Sequence, residues 1–594
     1  MSFKINSLYL TDGYKVGHKA MLAPGTTRLY GTWIPRSVKH APKGITKIVS
    51  FGQQLVWKWL HDEFEENFFR TKERPLLSRC TQGIPGRNCL EIAKEEALQF
   101  VKDMSLYLGM EYDGKHFEEL WDLGYLPIKV KALPEGIETN PNIPHMTFVN
   151  TVDGFAWLTL YLETVVSALA WKPSTAATIA KLYRRQAEEW VAKTDNKNMW
   201  LVDFMCHDFS ARGLDPMSQY LIGLGHATSF KGSDTLPVIP AARYFYGVKD
   251  DEMPIFSVNA SEHSVSTTKI FTVGEQQMIA DWLKIFPKGI LSIVSDTFDL
   301  WKLITEYLPA NKDAILRRGE YLITCDGVDW NENDELIPCV NEKEESYYLN
   351  KRTGIKYTQE LIDRGIKEGF IKYTPGKLVI RPDSGDPVDI ICGHYLPNKE
   401  VRDGLIERAD NTEGLSSAPI KGVIELLWDI FGGTVNEQGY KVLDPHIGAI
   451  YDDSITPERQ RQIYERLAAK GFAATNIILG VGSFTYQYNT RDTLGFAAKG
   501  AWFEVVEPNN EDDDELVIKT YNIYKDPVTD DGTKKSLKGL LRVGLDITGQ
   551  PAVICECTPE QESGGLLQVQ VIYEDGKFYN QTTLTEVRER LLCK

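Results

Sequence analysis

Several short segments of this 594-residue chain set charged, aromatic and small residues close together. In HDFSARG (207–213), Phe209 could stack on a flat ring while Arg212 meets an anion, although a core Phe beside a surface Arg is the commoner outcome. FKGSDT (230–235) puts Asp234 after a small-residue turn, where a loop or helix cap is the default role. SVNASEHS (257–264) sets Glu262 beside His263; on a strand these neighbours point to opposite faces, so Glu262 is no obvious partner of His263. RPDSGDP (381–387) places Arg381 and Asp383 on one face, able to grip a polar substrate or to satisfy each other as an ion pair. The loop GVGSFTYQYNTRD (480–492) offers Gly480, Gly482 and Ser483 ahead of Arg491. Small residues let backbone N–H groups approach a phosphate, a reading slightly favoured over an ordinary glycine turn; the third glycine of a dinucleotide fingerprint is missing.

These residues need elements that bring them together. SIVSDTFD (292–299), LVIRPDSGDP (378–387), IGAIYDDS (447–454) and NIILGVGSFTYQYNTRD (476–492) each end an apolar run on small or polar residues. Buried parallel strands with such tips build the active site of an α/β barrel. From about 165 to 500 the chain alternates helices with short apolar strands, most clearly in GAIYDDSITPERQRQIYERLAAKGFAATNIILG, whose amphipathic helix closes at Gly471. Residues 309–376 and 392–420 interrupt that rhythm and read as surface insertions. Residues 1–164 read as α+β, with a helix in FGQQLVWKWLHDEF and a strand in LPIKVKALPEG. The strands of 501–594 are expected to pair with them as a discontinuous sheet domain.

Acidic residues exceed basic ones for a net charge of −17, so the overall field repels nucleic acid and anionic membranes. Any polyanion must find a local cluster of cations. Nine cysteines with no CxxC pair read most simply as reduced thiols in a cytoplasm. The run GFAWLTLYLETVVSALAW (154–171) is interrupted by Glu163 and suits a buried helix better than a membrane span. The sequence has no Walker lysine loop, no HExxH and no GxSxG.

Taken with TDGYK (11–15) and YKDPV (524–528), the segments HDFSARG, FKGSDT, SVNASEHS, SIVSDTFD, RPDSGDP and GVGSFTYQYNTRD follow a family's order across nearly the whole chain outside the insertions. In them the chain resembles the nicotinamide phosphoribosyltransferases, in wording closest to the bacterial branch. The resemblance implies an irregular α/β barrel of the type II phosphoribosyltransferase kind with a sheet domain built from both chain ends. It also implies transfer of 5-phosphoribosyl from phosphoribosyl pyrophosphate to nicotinamide, with Mg²⁺ carried by the phosphates rather than held directly by the protein.

By the same resemblance, Phe209 and Tyr14 of a second subunit sandwich the pyridine ring in a homodimer. Asp234 accepts from the carboxamide NH₂ and Arg381 donates to its oxygen. Asp383 and Asp453 face the ribose, and Gly482, Ser483 and Arg491 hold the 5′-phosphate. Arg36, Arg212, Lys499, Lys525 and Lys534 gather around pyrophosphate or ATP, while Ser257, Ala260 and Ser292 complete the pocket. His263 is the histidine that ATP phosphorylates, with Asp296 orienting its ring.

The chain departs from the animal branch in carrying Asp452 beside the ribose aspartate, Val481 and Ser483 in the phosphate loop, and Ala211 in place of an aromatic residue. The nearest rival is nicotinate phosphoribosyltransferase, against which Asp234 argues, because its carboxylate repels an acid. A catalytically silent binding or signalling protein on the same fold is the rival from another class, and intact His263, Asp383 and Arg491 argue against it. A metal-dependent barrel hydrolase lacks a His/Asp ligand set.

Overall fold

The computed structural model describes residues 5–592 apart from 70–93, 96, 327–330, 341–345, 395–415, 453–454, 510–515, 530–535 and 567–570. Two seven-stranded sheets organise the described chain. The first is antiparallel, in the order Leu516–Asn522, Ala497–Pro508, Thr26–Ile34, Met146–Asn150, Ile128–Ala132, Val571–Glu574 and Lys577–Phe578. Strands from the start of the chain therefore lie between strands from its end. Alternation places them: in Ile128–Ala132, Ile128, Val130 and Ala132 are buried while the two lysines between them are half-buried.

The second sheet is parallel, in the order Gly232–Ser233, Cys206–Asp208, Ile477–Val481, Ile447–Tyr451, Lys377–Arg381, Ile290–Val294 and Asn259–Ala260. Every residue of Ile447–Tyr451 is buried, as expected of a strand covered on both faces. The sheet curls until its edges meet: Gly232 bridges Phe256, just before the last strand. There Ser233 N donates to Phe256 O (3.0 Å) and Phe256 N to Lys231 O (2.7 Å).

The unit read most clearly from sequence forms as expected. Helix Pro457–Ala469 opens with Thr456 as N-cap, accepting from Arg459 N at 3.2 Å, and with proline in the first turn. Gly471 follows with φ of +77°, the left-handed conformation that ends a helix cheaply only for glycine. The expected helix near 53 runs Gln53–Asn67. The apolar run at 154 becomes helices Ala156–Tyr161 and Glu163–Thr194, and no helix among the described residues is long and apolar enough to cross a membrane.

Glu163–Thr194 ties the two sheets' surroundings together. Its Ser174 hydroxyl donates to Val49 O (2.6 Å), and its Tyr183 hydroxyl donates to Ile455 O beside the barrel (2.7 Å).

The described residues of 309–376 form a unit of their own. It holds a five-stranded antiparallel sheet in the order Lys356–Thr358, Ser346–Asn350, Glu335–Val340, Gly319–Ile323 and Ile371–Pro375, with helix Gln359–Glu368. Tyr321, Ile323, Leu336, Tyr348 and Ile362 form its own small core. Most of the second insertion, 392–420, lies outside the described residues.

Candidate functional site

The C-terminal tips of the parallel strands converge on one mouth. Cys206–Asp208 leads into Phe209 and Arg212, Gly232–Ser233 into Asp234, Asn259–Ala260 into Ser261 and His263, and Ile290–Val294 into Asp296 and Thr297. Lys377–Arg381 ends on Arg381, Ile447–Tyr451 leads into Asp452, and Ile477–Val481 into Gly482 and Ser483. Parallel pairing sets these tips side by side although the residues come from seven separate segments.

Phe209 is half-buried and anchored by its backbone N–H, which donates to Val481 O at 3.0 Å. Its ring lies on the backbone at Gly480, where a Cβ would stand 2.7 Å from Phe209 Cδ2, so no larger residue fits there. The His207 ring sits 4.6 Å from that of Phe209, and His207 Nε2 hydrogen-bonds Asp234 Oδ1 at 3.0 Å. Ser257 Oγ donates to the same carboxylate oxygen. Burial raises the Asp234 pKa, but the bonds from His207 and Ser257 and the nearby Arg381 outweigh it and hold the carboxyl below its ordinary range. Both side-chain bonds fall on Oδ1, which leaves Oδ2 for a ligand.

Arg381 does not pair with Asp383. Its Nη1 donates to Asp452 Oδ2 and its Nη2 to Ser261 O, while its backbone N accepts the support of Ser295, donating to Ser295 Oγ at 3.1 Å. Burial pushes the Asp452 carboxyl upward, Arg381 pulls it back, and Asp383 adds to the rise. Asp452 is thus the partner of an arginine rather than a bare negative charge beside the sugar phosphate.

His263 opens helix His263–Val273, with Glu262 as N-cap, so the strand expected across 257–264 stops at Ala260 and the opposite-faces argument does not apply. Its Nδ1 hydrogen-bonds Thr297 Oγ1 at 3.1 Å. Its Nε2 lies 3.6 Å from Asp383 Oδ2 and 3.8 Å from Asp296 Oδ1. The residue that orients the ring by a hydrogen bond is therefore Thr297. Asp296 instead fixes the turn after Arg381: its Oδ2 accepts from Asp383 N (2.9 Å), Ser384 N (2.7 Å) and Ser384 Oγ (2.5 Å), while its buried Oδ1 has no hydrogen-bond partner among the described residues.

Ser483 begins the short helix Ser483–Gln487. A Cβ at Gly213 would collide with Ser483 Oγ, so the turn carrying Arg212 lies directly against the glycine loop. Arg212 is exposed and Arg491 is half-exposed, its guanidinium 3.2 Å from Asp492. Ala260 pairs in register with Ser292, whose buried hydroxyl has no partner among the described residues.

The remaining expected residues make contacts of their own. Arg36 Nε donates to Gly495 O (3.0 Å), and Lys499 pairs with Glu163 (3.2 Å), which also takes Lys15 (2.8 Å). Lys525 N donates to Ser536 Oγ at 2.7 Å. Tyr14 is 67% exposed and its ring meets His18 and Lys15, not the barrel mouth. Asp453 and Lys534 lie outside the described residues.

His207, Ser261, Ser295 and Thr297 were not singled out from sequence. His207 was within reach, since residues two apart on a strand share a face and Phe209 follows it by two. The others act through contacts between segments far apart in the chain.

The strand tips, the Gly482–Ser483 turn and His263 therefore lie together at one end of a curled parallel sheet. The profile of the nicotinate phosphoribosyltransferase (NAPRTase) family matches residues 204–322 and 345–581, and the chain belongs to that family. It is 34% identical over its full length to a nicotinamide phosphoribosyltransferase of Acinetobacter baylyi, covering 98% of that protein. It is 29% identical over 78% of the chain to one from Xanthomonas campestris pv. campestris (79% of that protein), and 27% identical over 90% to one from Mycoplasma pneumoniae (95% of that protein).

Proposed function

We propose that this protein transfers the 5-phosphoribosyl group of phosphoribosyl pyrophosphate to nicotinamide, forming nicotinamide mononucleotide and pyrophosphate in NAD salvage. The observation that carries this reading is the cluster of Phe209, His207, Asp234 and Arg381: a flat ring to stack a pyridine, a carboxylate oxygen to accept from its amide, and a guanidinium to donate to its carbonyl. The names of the full-length relatives support the same substrate.

In the transfer, the bond from ribose C1 to the pyrophosphate oxygen breaks, the leaving group takes the electron pair, and the pyridine nitrogen bonds to C1. Charge develops on the ribose, so positioning and electrostatic stabilisation carry the catalysis. Asp383 faces the ribose in this reading, together with Asp453. Gly482, Ser483 and Arg491 take the 5′-phosphate, and Arg212 lies beside them. Mg²⁺ carried by the pyrophosphate would supply charge neutralisation there, with Asp383 Oδ2 facing it only through water.

ATP phosphorylates His263 on Nε2 in this scheme. With Nδ1–H donating to Thr297 Oγ1, the Nε2 lone pair attacks the γ-phosphorus and ADP leaves; a phosphate there would sit at the N-terminus of helix His263–Val273, where backbone N–H groups favour anions. The active unit is a homodimer, with the exposed Tyr14 closing the partner's ring site, and Arg36, Lys499, Lys525 and Lys534 adding cations for the phosphates. The reading places the reaction in the cytoplasm, where thiols such as Cys206 and Cys392 stay reduced.

The test is incubation of purified protein with phosphoribosyl pyrophosphate, Mg²⁺ and nicotinamide. Nicotinamide mononucleotide and pyrophosphate should appear in equal amounts; their absence would overturn the assignment.

A further inference from the structure

Arg381 and Asp452 end neighbouring parallel strands, and the pair they form is nearly buried, with side chains 11% and 7% exposed. The guanidinium is held at two of its nitrogens, and the backbone behind it is held as well. Nη1 meets Asp452, Nη2 meets Ser261 O, and the Arg381 backbone exchanges hydrogen bonds with Ser295 (N to Oγ at 3.1 Å; Ser295 N to Arg381 O at 3.0 Å). Its buried Nε has no partner among the described residues.

A guanidinium buried without a carboxylate draws in an anion, because an unpaired charge in a poorly hydrated site is costly. A pyridine carboxylate is such an anion. Asp452 removes that demand from within the chain, so the arginine keeps hydrogen-bond donors but has little net charge to offer an acid. Asp234 then stands as a second carboxylate beside the same arginine, which acts on it electrostatically. One cation between two anions suits a neutral amide: its NH₂ donates to Asp234 and its oxygen accepts from Arg381. The same arrangement leaves a carboxylate facing Asp234 with no net positive charge to offset the repulsion.

Resting on the reading of the site as a nicotinamide site, we propose that Asp452 is a specificity-determining positioning residue: it fixes the Arg381 guanidinium and cancels its charge so that the pocket selects pyridine amides over pyridine acids. It works through Arg381 and needs no contact with the substrate.

The test compares kcat/KM for nicotinamide and nicotinate in wild type, Asp452→Asn and Asp452→Glu, with folding checked by circular dichroism and thermal melting. Asparagine keeps an oxygen for Arg381 but removes the charge. It should raise kcat/KM for nicotinate and lower the amide-to-acid ratio by on the order of tenfold to a hundredfold, the scale of one charge acting in a partly shielded site. The gain should fall mainly in KM for the acid. Glutamate, which keeps the charge, should retain most of the wild-type preference. A merely structural role would slow both substrates alike, so a ratio in Asp452→Asn within about twofold of wild type would overturn the proposal. Should Asp452→Asn fail to fold, Asp452→Ser supplies the same comparison. A wild-type protein that uses neither substrate, or favours nicotinate, would instead overturn the underlying function and the inference with it.

Discussion

His263 Nε2 stands 3.6 Å from Asp383 Oδ2, so the histidine that opens its helix and the aspartate of the strand-tip turn address the same small volume. Phosphate on Nε2 would enter the space where ribose and pyrophosphate are expected, which offers a physical route for ATP hydrolysis to act on the transfer. Replacing His263 by Ala should abolish labelling of the protein by the γ-phosphate of ATP and end any ATP-driven enhancement, while synthesis without ATP persists. The label on wild-type protein should survive base and not acid. Equal labelling of the variant would move the acceptor elsewhere.

Bonds from His207 and Ser257, both to Oδ1, hold the Asp234 carboxyl below its ordinary range. Its lowered pKa means that the carboxylate persists from neutral pH down through the ordinary aspartate range, so the preference for nicotinamide should be flat between pH 8 and about 5 on its account. Asp234→Asn should lose much of that preference, since sites built around a substrate hydrogen bond discriminate by as much as roughly 10⁴-fold. Steady-state kinetics on both substrates check this; an unchanged ratio would contradict the assignment.

His145 lies fully buried under the antiparallel sheet, Nε2 bonded to Thr139 Oγ1 at 2.9 Å, and burial pushes its pKa down to about 3. Below about pH 6.5 the unfolded chain takes a proton there that the folded chain refuses, so stability falls as pH drops from about 6.5 toward 3. The loss is about 1.4 kcal/mol per pH unit for this one group. Denaturant unfolding of wild type and His145→Gln across pH 7 to 5 should show the variant with the shallower slope. Parallel slopes would mean that the ring protonates in the folded state.

Tyr14 is exposed in one chain while Phe209 lines the barrel mouth. Tyr14→Ala and Phe209→Ala proteins, each nearly inactive alone, should regain activity on mixing, because a heterodimer has one intact site. Random exchange makes half the dimers mixed, which limits recovery to about a quarter of wild type. No recovery despite heterodimers proven by native mass spectrometry would mean that the two residues do not share a site.

The barrel was legible because each buried parallel strand declares itself locally, by an apolar run that stops on Ser, Asp, Gly or Arg. Helix Pro457–Ala469 carried its own start and stop signals in Thr456, Pro457 and Gly471. The inserted sheet was obscured because its small core is spread thinly, as Tyr321, Leu336 and Tyr348, through a polar stretch. Arg381 and Asp383 are two residues apart and invite pairing, yet the arginine's partner is Asp452, 71 residues away and adjacent only through strand pairing. The place of His263 depended on where a two-residue strand ended, a boundary that periodicity does not resolve.

Nicotinamide selection is tested most directly by competition in a single reaction: purified protein, phosphoribosyl pyrophosphate and Mg²⁺ with equal concentrations of nicotinamide and nicotinate, both mononucleotides being quantified by mass spectrometry. With two carboxylates flanking Arg381, nicotinamide mononucleotide should exceed nicotinate mononucleotide by at least about a hundredfold. Nicotinate mononucleotide as the main product, or comparable amounts of the two, would contradict it.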